Sequence, residues 1–320
     1  MMQEISQQAK VPMDSKGQRL DAIAAQLFPD YSRGQLQGWI KSGELTVNAS
    51  ARKPNAKLAG GEQLSLTATL ADVNDWQPED IAIDVVYEDD DILVVNKPAG
   101  LVVHPAAGNY TGTLLNGLLF HYPNAKHLPR AGIVHRLDKD TTGLMVIAKT
   151  LQAQNHLVQQ LQARTVSRRY AAVLSGTLLS GGKVDAPIGR DSKHRTRMTV
   201  VDSESDAGKE AITHYQVVKR FKHFTWVELK LETGRTHQIR VHMTHIGLGL
   251  VGDATYRGRG LKTSEIDDTV LECVRGFGRQ ALHAKALGLI HPTTGEECHW
   301  EIPLPDDFAE LLEVLKKGNV

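Results

Sequence analysis

"HRLDKDTTGLMVIAK", His135 to Lys149, sets a dense polar run against an apolar one. Two carboxylates and three basic or imidazole side chains fall in the first six residues, and Thr141-Thr142-Gly143 then turns the chain into "LMVIAK". Ahead of it lies a second apolar segment, "AGIV". The polar loop is therefore expected to be anchored between two buried strands. Asp140, next to the Thr-Thr-Gly turn, suits a role in satisfying turn amides. Asp138 suits that role less. A carboxylate held there needs a positive partner to stay ionised. Arg136 and Lys139 are close, but neighbouring side chains in extended chain diverge, so the partner is expected from elsewhere. Arg240, in "LETGRTHQIRVH", is a good candidate. Thr233-Gly234 ends a strand there, and Thr236 can cap the helix that carries Arg240.

Outward from this loop, strands dominate: "IAIDVVYE", "DILVVNKP", "RRYAAVLSG", "AITHYQVVKRF" and "HFTWVELKLET". Helical spacing marks "TGTLLNGLLFHY", "LQAQNHLVQQLQA" and "THQIRVHMTHIG". Strands often follow one another directly. The fold class is thus α+β, with a mixed, mostly antiparallel sheet and flanking helices.

The N-terminal part reads as a separate module. Residues 1–15 carry no clear period and read as a flexible arm. Residues 16–75 follow as a small α+β domain. Its first helix runs over "RLDAIAAQLF"; Ser32 caps a second, which carries Leu36, Trp39 and Ile40. Two short strands, "ELTVNA" and "GGEQLSLTA", complete it. Residues 76–320 form the larger domain. Between Ala71 and Asp91 lie nine carboxylates and no Lys or Arg, a run that repels phosphate and whose first half reads as a linker.

Lys plus Arg and Asp plus Glu both number 37, so total charge is silent about a nucleic-acid partner and only its distribution informs. From Lys16 to Ala68 seven basic residues, Arg33 and Lys41 among them, oppose four acidic ones. From Gln160 to Val200 eight basic residues, including Arg190, Lys193, Arg195 and Arg197, oppose two. Each cluster reads as a solvated surface or as a phosphate track; together they favour the track. Cys273 and Cys298 form no pairing motif, which with the absence of a signal-peptide pattern points to a reducing cytoplasm. No apolar run is long enough to span a bilayer.

Two patterns are decoys. "GLGLVG", Gly247 to Gly252, follows a helix rather than a strand, which is the wrong context for a dinucleotide. His237, His242 and His245 lack the spacing of a helical zinc pair. No cofactor and no metal is expected.

These motifs, in this order, resemble the ribosomal large-subunit pseudouridine synthases. The resemblance rests on "HRLDKDTTGLMVIAKT", "NKPAGLVVHP", "SRRYAAVLSG", "LETGRTHQIRVH", "VGDATY" and "QALHA". The segment from "GQRLD" to "GGEQLSL" resembles an S4-type RNA-binding domain. The match covers nearly the whole chain and is most like the D-type branch, whose members modify uridines in the helix 69 stem-loop of 23S rRNA. It implies a cofactor-free isomerase with Asp138 as catalytic acid, Tyr170 in the active site and Arg240 as the buried partner of Asp138. It also implies that Arg136 fills the gap left by a flipped base. Lys97 and the segment Arg190 to Arg197 would hold phosphates, with Arg33 and Lys41 contributing from the N-terminal module. The expected partner is 23S rRNA or a large-subunit precursor, bound by a monomer. The rivals are a C-type enzyme acting on other 23S uridines, a non-catalytic assembly factor and an Asp-dependent nucleoside hydrolase.

Overall fold

The computed structural model describes residues 4–29, 31, 33–69, 76–106, 108–194, 196–202, 208–258 and 263–318. Ser32 and Arg195, singled out above, lie outside them.

The N-terminal module packs two helices, α1 (Leu20–Leu27) and α2 (Arg33–Ser42), against a small sheet. Its strands are β1 (Glu4–Lys10), β2 (Leu45–Val47) and β3 (Gln63–Thr69), in the order β1-β3-β2. Leu20, Ile23, Leu36, Ile40, Leu45, Leu64 and Leu66 form its core. The flexible arm expected over residues 1–15 is corrected here. Glu4–Lys10 is a paired strand, in antiparallel register from Glu4↔Thr69 to Lys10↔Gln63. Its period was hidden because only Ile5 is an apolar residue of size, while Gln7 and Ala9 share its half-covered side.

The larger unit is built on one sheet of nine strands. The strands are β4 (Val85–Glu88), β5 (Ile92–Lys97), β6 (Thr142–Ala148), β7 (Ser167–Ser175), β8 (Gly182–Asp185), β11 (Ile212–Arg220), β12 (Phe224–Leu231), β13 (Leu282–Ile290) and β14 (Glu297–Glu301). A separate hairpin consists of β9 (Ile188–Arg190) and β10 (Met198–Val200). Strand order is β4-β5-β6-β13-β7-β12-β11-β8, with β14 on β13. Every pairing is antiparallel except β13 with β6.

Alternation along the strands sends side chains to the two faces of the sheet, where three clusters form. Leu93, Val95, Met145, Tyr170 and Leu229 pack with α3 (Leu114–His121) and α5 (Gln238–His245). Ile92, Val94, Leu144 and Val146 pack with α4 (Leu151–Gln162). Ala171, Val173 and Phe224 pack with α6 (Asp268–Gly276) and α7 (Asp306–Lys317). The centre of the sheet is thus covered on both faces, and its chemistry is confined to strand ends. Among the described residues, no helix is long and apolar enough to cross a membrane.

The single parallel pairing positions the polar loop. At its junction Gly143 has φ +114, and a Cβ there would lie 2.3 Å from the Ala284 carbonyl oxygen. Only glycine admits this approach of β6 to β13. The loop is held from the same side by side chains just before β13. Gln280 Nε2 donates to Thr141 Oγ1 at 3.0 Å, and Arg279 Nη1 donates to the Asp140 carbonyl at 3.3 Å.

Candidate active site

Asp138 sits at the loop before β6, half-buried, with its side chain 14% exposed. Arg240, in the first turn of α5, donates from Nη1 to Asp138 Oδ2 at 3.0 Å. The sequence places these groups 102 residues apart; the fold brings them into contact. The rest of the guanidinium is held by Asp253, with Nε donating to Oδ2 at 2.6 Å and Nη2 to Oδ1 at 3.0 Å. Asp253 Oδ1 also accepts from the backbone amides of Thr255 and Tyr256, both at 2.9 Å. The Tyr256 ring lies under the guanidinium, 4.9 Å from Cζ to the centroid. Burial opposes the charge on Arg240, but Asp253 and Asp138 outweigh it and hold its pKa above the ordinary value.

His237 stands on the other side of Asp138, with Nε2 3.9 Å from Oδ1. It caps α5 in the left-handed region, at φ 56, with no capping side chain. The expected Thr236 cap is therefore wrong. The turn is closed by the Gln238 carboxamide oxygen, which accepts from Arg235 N at 2.9 Å and Thr233 Oγ1 at 2.8 Å. A non-glycine residue at positive φ is strained, and such strain gathers at functional sites. The Tyr256 hydroxyl accepts from Met198 N and lies 2.7 Å from His237 Nδ1, so the basic hairpin is tied to the site floor.

Tyr170, on β7, lines the same cleft, as do Arg136, Arg168 and Arg130. The cleft measures about 790 Å³, within the range of small-ligand sites. Burial pushes the Tyr170 hydroxyl above its ordinary pKa; Arg168 opposes this and Asp138 adds to it. Trp76, within the acidic run, forms part of the cleft wall.

Asp138, Tyr170, Arg240 and Arg136 are thus brought together. Lys97 is not where the sequence reading put it. It is 1% exposed, and its Nζ donates to the carbonyls of Pro98, Leu101 and Lys139 at 2.7, 2.9 and 2.8 Å. An ammonium satisfied by three carbonyls inside the protein cannot hold a phosphate; it ties β5 to the Asp138 loop. Burial lowers its pKa to about 8, with Asp140 and Asp138 opposing. Among the described residues, the Asp140 carboxylate accepts no turn amide, so its expected turn role is not carried by the side chain; Thr141 N donates instead to the Asp138 carbonyl. Arg190, Lys193 and Arg197 are exposed around the β9–β10 hairpin. At the hairpin tip Asp191 Oδ1 accepts from Lys193 N and His194 N at 2.8 and 3.0 Å. Lys41 is exposed, and Arg33 pairs with Asp21 at 3.1 Å.

Sequence reasoning missed Asp253, Tyr256, His237 and Arg168. The first two lie in the quoted "VGDATY", where a signal existed without a role. His242, one of the three clustered histidines, is structural; its ring nitrogens engage Thr213 Oγ1 at 2.8 Å and the Ala186 carbonyl at 3.0 Å. Among the described residues, one group offers three potential metal-ligand atoms: Asp89, Asp91 and His291. His291 Nδ1 accepts from Thr293 N and Thr294 N while Nε2 contacts Asp89, so both ring nitrogens are in use.

A model described as RNA pseudouridylate synthase matches residues 91–245, and an S4-domain model matches residues 18–64. The ribosomal large subunit pseudouridine synthase D of Pseudomonas aeruginosa is 55% identical over 319 residues, covering 100% of this chain and 98% of that one. The chain belongs to the RNA pseudouridine synthase family. The same-named protein of Pasteurella multocida is 51% identical, covering 98% of this chain and 96% of the relative. Human RNA pseudouridylate synthase domain containing 4 superposes with a TM-score of 0.54 at 28% identity, over 73% of this chain and 93% of that chain. The cleft described above therefore belongs to an isomerase that acts on RNA.

Three histidines of the synthase, two half-buried and one buried, are held below their ordinary pKa. Burial lowers the pKa of His104 and His283 from 6.5 to about 4, with neighbouring arginines adding to the effect. Burial, with Arg168, lowers that of His135 to about 3, and its Nε2 accepts from Val146 N at 3.0 Å. Above pH 6.5 these rings are neutral in folded and unfolded chains alike. Below it the unfolded chain takes up protons that the folded chain refuses until about pH 4. Stability must then fall as pH falls. Thermal unfolding midpoints are expected to drop steadily between pH 6.5 and 4; a flat profile over that window would contradict the burial of these rings.

Proposed function

We propose that this synthase converts uridines of 23S rRNA, in the helix 69 stem-loop, to pseudouridine, with Asp138 as the reacting carboxylate. The observation that carries the reading is the Asp138–Arg240 contact at 3.0 Å in a cleft lined by further arginines. The names of the full-length relatives support the rRNA substrate. The enzyme acts as a monomer and without a cofactor.

The reaction breaks the bond from ribose C1′ to uracil N1, turns the base and joins C1′ to C5. A stacked base is out of reach, so the uridine is flipped into the cleft at a cost of about a few kcal/mol. Arg136, exposed at the rim, stacks in the gap the base leaves. Two routes use an ionised Asp138. In one the carboxylate attacks C1′ or the uracil ring as a nucleophile. In the other it removes the C2′ proton to give a glycal. Arg240 holds the carboxylate in position and balances its charge on either route. Tyr170 lies against the base and helps remove the C5 proton after the new bond forms. Arg190, Lys193, Arg195 and Arg197, with Lys41 and Arg33 of the S4 module, hold phosphates, which position the RNA without specifying its sequence.

Mapping pseudouridines in 23S rRNA from a strain lacking the protein tests this reading. The helix 69 sites are expected to disappear and to return on complementation. Loss of other 23S sites instead would assign the enzyme to the C-type specificity, and no loss would remove rRNA as the substrate.

A further inference from the structure

Two residues before Tyr170 on β7, Arg168 leaves the strand on the same side and lines the same cleft. Only 6% of it is exposed. Nη2 donates to the Glu232 carbonyl at 3.1 Å, whereas the buried Nε has no hydrogen-bond partner. Among the described residues no carboxylate lies in ion-pair range of it. The Glu232 carboxylate is engaged by His214 at 2.6 Å and Arg164 at 3.4 Å, and Asp138 is engaged by Arg240. Gly234 leaves room for the guanidinium, since a Cβ there would lie 2.7 Å from Nη1. A buried cation with an orphan donor and no counter-ion is unfavourable unless a ligand supplies the negative charge.

The substrate can offer negative charge from two sources, a phosphodiester or the uracil ring during reaction. A phosphate sits on the solvated backbone, whereas Arg168 is more than nine-tenths buried on the side of β7 that carries Tyr170. We propose that Arg168 is a catalytic residue that receives the negative charge of the uracil as its glycosidic bond breaks. The proposal rests on the reading of Asp138 as the reacting acid. When C1′–N1 breaks, its electron pair leaves with the base and spreads over N1, O2 and O4. C5 then forms the new bond to C1′ with an electron pair from the same ring, the C5 proton departs and a proton is returned to N1. Attack of Asp138 on C6 of the ring instead drives charge onto C5 and O4, and a donor fixed beside the ring can receive it there as well. Donors fixed before the reaction, in a site shielded from water, favour the charged interval over the neutral ground state.

The test compares Arg168→Met, Arg168→Lys and Asp138→Asn with the native enzyme on transcribed 23S rRNA, under single-turnover conditions and in an RNA-binding assay. Arg168→Met is expected to slow conversion at saturating RNA about 100-fold while leaving Kd within about threefold. Arg168→Lys, which keeps the charge, is expected to recover about tenfold of that loss. A weakened Kd with an unchanged saturated rate would assign Arg168 to a phosphate and overturn the proposal; so would a lysine variant no faster than the methionine one. Should Arg168→Met not fold, inhibition of the native enzyme by free bases decides. 5-Nitrouracil, whose ring is ionised near neutral pH, is expected to inhibit at about tenfold lower concentration than uracil, and equal inhibition overturns the proposal. Asp138→Asn separates the two readings. If it is inactive while Arg168→Met is fully active, only the assignment of Arg168 fails; if it is active, the reading of the site fails with it.

Discussion

Asp138→Asn is expected to lose about 10⁴-fold or more in pseudouridine formation, the scale on which removal of a central reacting group is felt, while the protein stays folded and binds RNA. Asparagine is nearly isosteric, so the loop keeps its shape. What it lacks is a charge to attack with or a basic oxygen to take a proton. One guanidinium, Arg240, faces two carboxylates in the native site, Asp138 and Asp253. Neutralising Asp138 leaves a balanced pair behind. Unfolding free energy is therefore expected to change by less than about 1 kcal/mol. Conversion under single-turnover conditions and thermal unfolding check the two halves separately. Native-like turnover would remove Asp138 from the reaction, and a collapse in stability would make its role structural.

Asp253→Asn is expected to damage both properties. Its carboxylate is fully buried, takes two hydrogen bonds from Arg240 and two from the Thr255 and Tyr256 amides. An asparagine must turn its Nδ2 toward one of these donors and leave it unmatched. Breaking a buried ion pair from one side costs about 3–5 kcal/mol. Arg240 is then freed to rotate, and Asp138 loses its orientation. Activity is expected to fall about 10²–10³-fold, because a small misplacement of a reacting group is felt on this scale. Chemical denaturation gives the first figure and the saturated rate the second. A variant as stable as the native chain would show that the clamp is unimportant.

Asp138 and Asp253 hold the same arginine, so sequence cannot rank them by chemistry alone. Asp138 was legible because its loop lies between two apolar runs and ends in a glycine turn. Asp253 was not, since "VGDATY" carries a single carboxylate in a short turn and no cation. Lys97 shows the opposite error. It looked like a surface cation after an apolar strand, yet it falls in phase with Leu93 and Val95 on the face of β5 that packs with α3. Strict alternation through "ILVVNK" would have placed it inside. Arg168 is in phase with Tyr170 in the same way.

The sequence alone determined the α+β class, the two helices of the S4 module, most strands of the sheet and the loop that carries Asp138. These follow from local periodicity and turn chemistry, which each segment holds within itself. The tertiary structure decided which charges meet. Arg240 reaches Asp138 across 102 residues, and Lys97 is withdrawn from solvent. Among the described residues Arg168 is left without a counter-ion, and residues 4–10 close the small sheet. Those outcomes depend on strand order and on the parallel contact of β6 with β13. No local pattern encodes them, because Coulomb pairing and burial act through space rather than along the chain.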